Sequence, residues 1–96
     1  MTNKSVKVVY YVDVDDNTKG CLCAVPSDKD MRDPSVKLAI SNEIKSVFGT
    51  NSMASIHSNE IASSIVHYKY ASMKNYEFGI EEIPLFGVHK VILQGC

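Results

Sequence analysis

Val6-Lys7-Val8-Val9-Tyr10-Tyr11-Val12-Asp13-Val14 constrains the fold more than any other part of the chain. As a β-strand it carries Val6, Val8, Tyr10, Val12 and Val14 on one face. Val9 and Tyr11 lie on the other, between Lys7 and Asp13. A strand with one solvated face alternates apolar and polar residues, whereas this one calls for cover on both faces. The segment that follows, 15–20, is rich in Asp, Asn and Gly, residues that tolerate turn conformations. Cys21-Leu22-Cys23-Ala24-Val25 then supplies a second strand, so the first quarter reads as a β-hairpin. Pro26, lacking a backbone donor, ends it.

After a charged connection, Ser27 to Arg32, comes the best-marked helix. Asp33 is positioned as N-cap and Pro34 as first helical residue, where a missing N–H costs nothing. Val36, Ile40, Ile44, Val47 and Phe48 form one apolar stripe, and Gly49 stands where a left-handed C-cap belongs. Lys37, Ser41 and Lys45 would face outward. Residues 50–58 suggest a brief strand. The hexapeptide Ser58-Asn59-Glu60-Ile61-Ala62-Ser63 nearly repeats Ser41-Asn42-Glu43-Ile44-Lys45-Ser46, too short a similarity to establish a structural repeat. Ile-Val-His-Tyr-Lys-Tyr from Ile65 is rich in β-formers, so a helical turn near 59–63 and a strand over 64–71 are expected. A turn at 72–75 leads to Tyr76-Glu77-Phe78-Gly79-Ile80-Glu81, which alternates strictly. Pro84 would interrupt it, and a last strand would run from Val88 to Gln94.

These elements predict one α+β domain over residues 1–96. Its mainly antiparallel sheet would have five or six strands, with one long helix, 34–48, packed on one face. One helix cannot cover a sheet of that size. Val9, Tyr11, Val88 and Ile92 are therefore expected on an outer apolar surface that meets a protein partner or a second copy.

Ten Lys and Arg against eleven Asp and Glu leave neither the basic excess of a duplex binder nor the acidic excess of a nucleic-acid mimic. No apolar run reaches membrane-spanning length, and Met1–Lys4 is too short and polar for a signal peptide. The three cysteines, Cys21, Cys23 and Cys96, are odd in number. Cys21 and Cys23 would share one strand face, poor geometry for a mutual disulfide, so free thiols and a cytoplasmic setting are expected.

Chemical motifs fail on spacing. A calcium loop starting at Asp13 would put Thr18 at the sixth position and Ala24 at the twelfth, where Gly and Glu belong. The Asp-x-Asp-x-Thr pattern of dehalogenase-like phosphatases is off by one residue. Turn chemistry at a hairpin tip accounts for these carboxylates. Cys-x-Cys lacks the second pair a structural zinc needs. His57, His67 and His89 fall on expected strands or strand ends. Tyr68 and Tyr70 would share a strand face and pack against Tyr76 and Phe78, although such pairs also serve as base-stacking platforms.

No catalytic residues, metal or cofactor are indicated. The chain reads as a small non-enzymatic protein-binding module, acting on a protein partner and self-associating as a homodimer. Its size and style suit a phage or plasmid accessory protein that inhibits a host enzyme or defence system. One alternative is a dimer binding a nucleotide or anion at its interface through Lys69, His89 and Lys90, with Asp13 as acid or base. The other is a single-stranded nucleic-acid binder using Tyr68 and Tyr70.

Overall fold

The computed structural model describes residues 4–85. Strands β1 (Lys4–Asp13) and β2 (Thr18–Pro26) form the expected hairpin. Helices α1 (Pro34–Phe48), α2 (Met53–Ile56) and α3 (Ser58–Tyr68) follow, then a second hairpin of β3 (Tyr70–Met73) and β4 (Tyr76–Leu85). The strands pair antiparallel in the order β2-β1-β4-β3. The fold is thus α+β, with four strands and three helices among the described residues where more strands and one helix were expected. Val88 to Gln94 lies outside the described residues.

The helices cover the Val9 side of β1. Val9, Leu22, Val25, Ala71 and Phe78 from the sheet join Val36, Ile40, Ile44, Ile61 and Ile65 from the helices in one core. Tyr11 packs at its edge. Val6 and Val8, on the opposite face, are also buried but lie outside that cluster. Cover on both faces is therefore observed at the centre of β1.

A bulge in β2 changes the logic of the cysteines. Val9 stands opposite Cys23 and Tyr10 opposite Cys21, leaving Leu22 as the extra residue. Val9 and Tyr10 point to opposite faces, so Cys21 and Cys23 do too, contrary to the expected shared face. Leu22 turns into the helix-facing core, where it is buried.

Helix α1 starts and stops as the sequence indicates. Asp33 Oδ1 accepts from the Ser35 N–H at 2.9 Å, Pro34 opens the helix, and Gly49 follows it at φ 81°. Val36, Ile40 and Ile44 are buried. Val47 is not: at 43% exposure it leaves the last turn to Phe48. The Phe48 ring sits 5.0 Å from Tyr11, 4.7 Å from Tyr76 and 6.1 Å from Phe78, in edge-on geometry. Ser41, expected outward, is buried against α3, its hydroxyl 2.9 Å from that of Ser58 and 3.0 Å from Asn59 Oδ1.

The stretch 53–68 departs most from expectation, being helical throughout except for His57 at the α2–α3 junction. Ser58, Ile61, Ala62 and Ile65 recur at helical spacing and are all buried. Burying that stripe against α1 and the sheet outweighs the few tenths of a kcal/mol per residue by which β-branched side chains disfavour a helix. The near-repeat acquires a structural meaning here. Both copies are helical, their leading serines are bonded to each other, and Ile44 and Ile61 are both buried.

Pro84 does not interrupt β4, which continues to Leu85 with Pro84 opposite Ser5. The Ser5 carbonyl accepts from the Ser27 N–H at 3.3 Å, so Ser5 directs its polar groups toward the β2 side. Pro84 therefore sits at a pair where β1 requires no donor from it.

Candidate functional site

Of the four residues expected on an outer apolar surface, the described two, Val9 and Tyr11, lie on the helix-facing side of β1. Val9 is 0% exposed, so it belongs to the core and offers no surface to a partner. The Tyr11 ring lies over Gly20, where an added Cβ would fall 2.3 Å from it, on the same helix-facing side. The helices pack on the Val9 face of β1 and not on the opposite one, where they were expected. Val88, Ile92, His89 and Lys90 lie outside the described residues, as does Cys96. Of the anion-binding set, Lys69 is exposed at the end of α3. Asp13 is engaged in turn chemistry, its Oδ1 accepting from the Asp15 N–H at 3.0 Å.

The rest of the hairpin tip behaves likewise. Asp16 Oδ1 accepts from the Thr18 hydroxyl at 2.8 Å and its N–H at 3.1 Å, which holds the Asp16 carboxyl below its ordinary pKa. Asp15 Oδ2 accepts from Asn75 Nδ2 at 2.6 Å, and the Val14 N–H donates to the Asn75 carbonyl, tying the two hairpin turns together. Among the described residues no group of three or more His, Cys, Asp or Glu is arranged to hold a metal ion. The two described histidines are on helices or their ends, not strands. His57 at the α2–α3 junction has Nδ1 2.6 Å from Glu60 Oε1, and His67 is exposed in the last turn of α3.

The cysteines diverge chemically as well as spatially. Cys21, expected as a free thiol, is disulfide-bonded, which removes the premise on which a reducing compartment was inferred. None of the described helices is long and apolar enough to cross a membrane. Cys23 keeps a free thiol and lines a groove of about 350 Å³ between β2 and α1, with Val25, Val36 and Ala39. Burial first, and the Glu43 carboxylate second, push its pKa up to about 11. The thiol is thus unreactive at neutral pH, where thiolate is the nucleophile. Unfolding frees it to ionise at the ordinary thiol value, so stability should fall as pH rises from there to about 11. A loss of roughly 2 kcal/mol, absent in Cys23→Ala, is expected in urea melts across that window. Equal slopes in the two proteins would contradict it.

Among the described residues the sheet edges offer few open backbone groups in a row, although β4 runs on past β3 from Ile80 to Leu85, with Pro84 within that stretch. The Ser27–Ser5 bond sets the alternation, so Cys23 and Val25 turn their polar groups to β1 and Ala24 turns its own outward. Pro26 has no N–H to add, and the bulge breaks the run at Leu22. Strand β3 has only four residues, and its Tyr70 carbonyl already accepts from the Ser64 hydroxyl at 2.8 Å. Short, bulged and proline-bearing edges resist strand addition.

Leu38 and Ile56 are exposed on α1 and α2, but exposed aromatic side chains come together at the corner where α3 gives way to β3. Tyr68 is 77% exposed and Tyr70 is 50% exposed. Lys69 between them closes the helix in a left-handed conformation, φ 61°, its N–H donating to the Ile65 carbonyl at 2.9 Å. Tyr68 also borders a shallow groove of about 400 Å³ lined by Lys37, Asn59, Glu60, Ser63 and Ser64. Tyr70 stands opposite Gly79 on the sheet face away from the helices, and the Tyr10 ring lies over that glycine. The expected packing of the two tyrosines against Tyr76 and Phe78 is therefore not made. Those rings face Phe48 on the other side of the sheet. Periodicity could not have revealed the corner. Tyr68 follows Ile61 by seven residues and Ile65 by three, which would bury it in a longer helix. It is exposed because α3 ends there, and no glycine announces that end.

No family model, curated protein or solved structure matches the chain.

Proposed function

We propose that the chain is a non-enzymatic protein-binding module that docks on its partner through the α3–β3 corner. The observation that carries this reading is the exposure of Tyr68 and Tyr70 in consecutive elements, 77% and 50%. Tyrosine brings a large rigid apolar area and a polar tip, and it is enriched among the side chains that dominate binding energy at interfaces. The blunted edges favour docking by side chains over strand addition. An anion-binding enzyme needs titratable groups converging in a cleft, and the described histidines are separated, one on Glu60 and one in solvent. A single-stranded nucleic-acid platform around Tyr70 would share its sheet face with Glu77 and Glu81, whose charge opposes phosphate. Lys19 on that face is occupied, 3.2 Å from Glu81 and 4.3 Å above the Tyr10 ring. The narrower role of phage or plasmid inhibitor rests on size and composition alone.

Affinity capture with the wild type and with a Tyr68→Ala, Tyr70→Ser double variant tests the reading. The variant should melt within about 1 kcal/mol of wild type, since both side chains are exposed. It should bind any partner at least about tenfold more weakly, a loss of about 1.4 kcal/mol or more. A folded variant that binds as tightly as wild type would move the docking site elsewhere.

A further inference from the structure

We infer that the partner meets this corner with an acidic rim around an apolar socket, an inference that rests on the docking reading above. Two lysines border Tyr68: Lys69 beside it in the chain and Lys37 across the groove. Neither enters an ion pair among the described residues, whereas Lys19 and Lys29 are held by Glu81 and Asp33. The one carboxylate that lines the groove, Glu60, is engaged by His57 at 2.6 Å. His67 stands exposed with its ring 6.4 Å from that of Tyr68. Tyr68, the most exposed tyrosine or phenylalanine among the described residues, is thus framed by two lysines on a chain whose net charge is −1. Complementary charge of the opposite sign steers encounter and selects partners.

Lys69 supplies a second argument. At φ 61° it occupies a position where glycine or asparagine is usual and a lysine is disfavoured. Its side chain makes no hydrogen bond or ion pair within the described fold. The left-handed backbone serves the helix cap, as that of Lys74 at φ 54° serves a turn, and the Lys69 side chain is left available for contacts outside the fold. The two effects can be separated, because Lys69→Gly relieves the strain while removing the charge.

The test titrates the full-length isotope-labelled chain, followed by amide NMR, with a synthetic Glu-Glu-Leu repeat peptide, its Gln-Gln-Leu counterpart and oligothymidylate. The acidic peptide should shift residues 67–70 and Lys37 and should weaken about tenfold between about 50 and 200 mM salt. Lys69→Gly should melt about 4 °C higher and yet bind the acidic peptide several-fold more weakly. Equal shifts from the Glu and Gln peptides, lost in Tyr68→Ala, would overturn the acidic rim and leave docking at the corner standing. Absence of shifts at 67–70 from either peptide would overturn the inference, and docking as well if the double variant above keeps its partner. Tighter binding of oligothymidylate at the same residues would overturn both. A Lys69→Gly variant as tight as wild type would remove Lys69 from the site.

Discussion

Replacing Ile44 with Ala is expected to remove about 3–5 kcal/mol of stability, the largest effect of any single change considered. Ile44 is 0% exposed in the middle of α1 and packs in the core that joins both later helices to the sheet. The helix is well capped and cannot slide to fill the space, with Asp33 bonded at its start and Ser41 bonded to Ser58 across the α3 contact. The lost side chain therefore leaves a cavity as well as a transfer deficit. Domains of this size have about 5–15 kcal/mol in total, so the loss is a large fraction of the whole and should lower the urea midpoint markedly. Ile44→Val, at about 1 kcal/mol, provides the graded control, and Val47→Ala, at an exposed position on the same helix, should stay within about 0.5 kcal/mol. Urea midpoints measure all three. An Ile44→Ala midpoint equal to wild type would mean that α1 does not pack as described.

Gly20→Ala should destabilise by about 1–3 kcal/mol for a reason that strand propensity does not contain. The added methyl would fall 2.3–2.4 Å from Tyr11 ring atoms, well inside van der Waals contact. That ring is not free to swing away, since Phe48 at 5.0 Å and Tyr76 at 6.2 Å hold it edge-on. Gly20 is not in a left-handed conformation, so the penalty is steric. Combining Gly20→Ala with Tyr11→Leu should then cost less than the sum of the two single changes, by about 1 kcal/mol in a double-mutant cycle. Strict additivity would show that the ring and the glycine do not meet.

Local signals in the chain were sufficient for the elements whose ends they mark. Asp33, Pro34 and Gly49 delimit α1 because capping and φ constraints act within a few residues. The β1–β2 hairpin is legible because alternation and turn residues act at the same range. Apolar residues on both faces of β1 correctly announced cover on both. Which face takes the helices was not legible, because both carry apolar side chains and only the packing of α1 and α3 breaks the tie. That choice placed Val9 in the core. The bulge at Leu22 was equally silent, and it alone sends Cys21 and Cys23 to opposite faces. In 58–68 β-propensity and helical periodicity disagreed, and burial of Ile61, Ala62 and Ile65 decided for the helix. The exposed corner follows from that outcome. Tyr68 continues the apolar spacing of α3, and only the left-handed Lys69, imposed where the chain turns back into the sheet, leaves it in water.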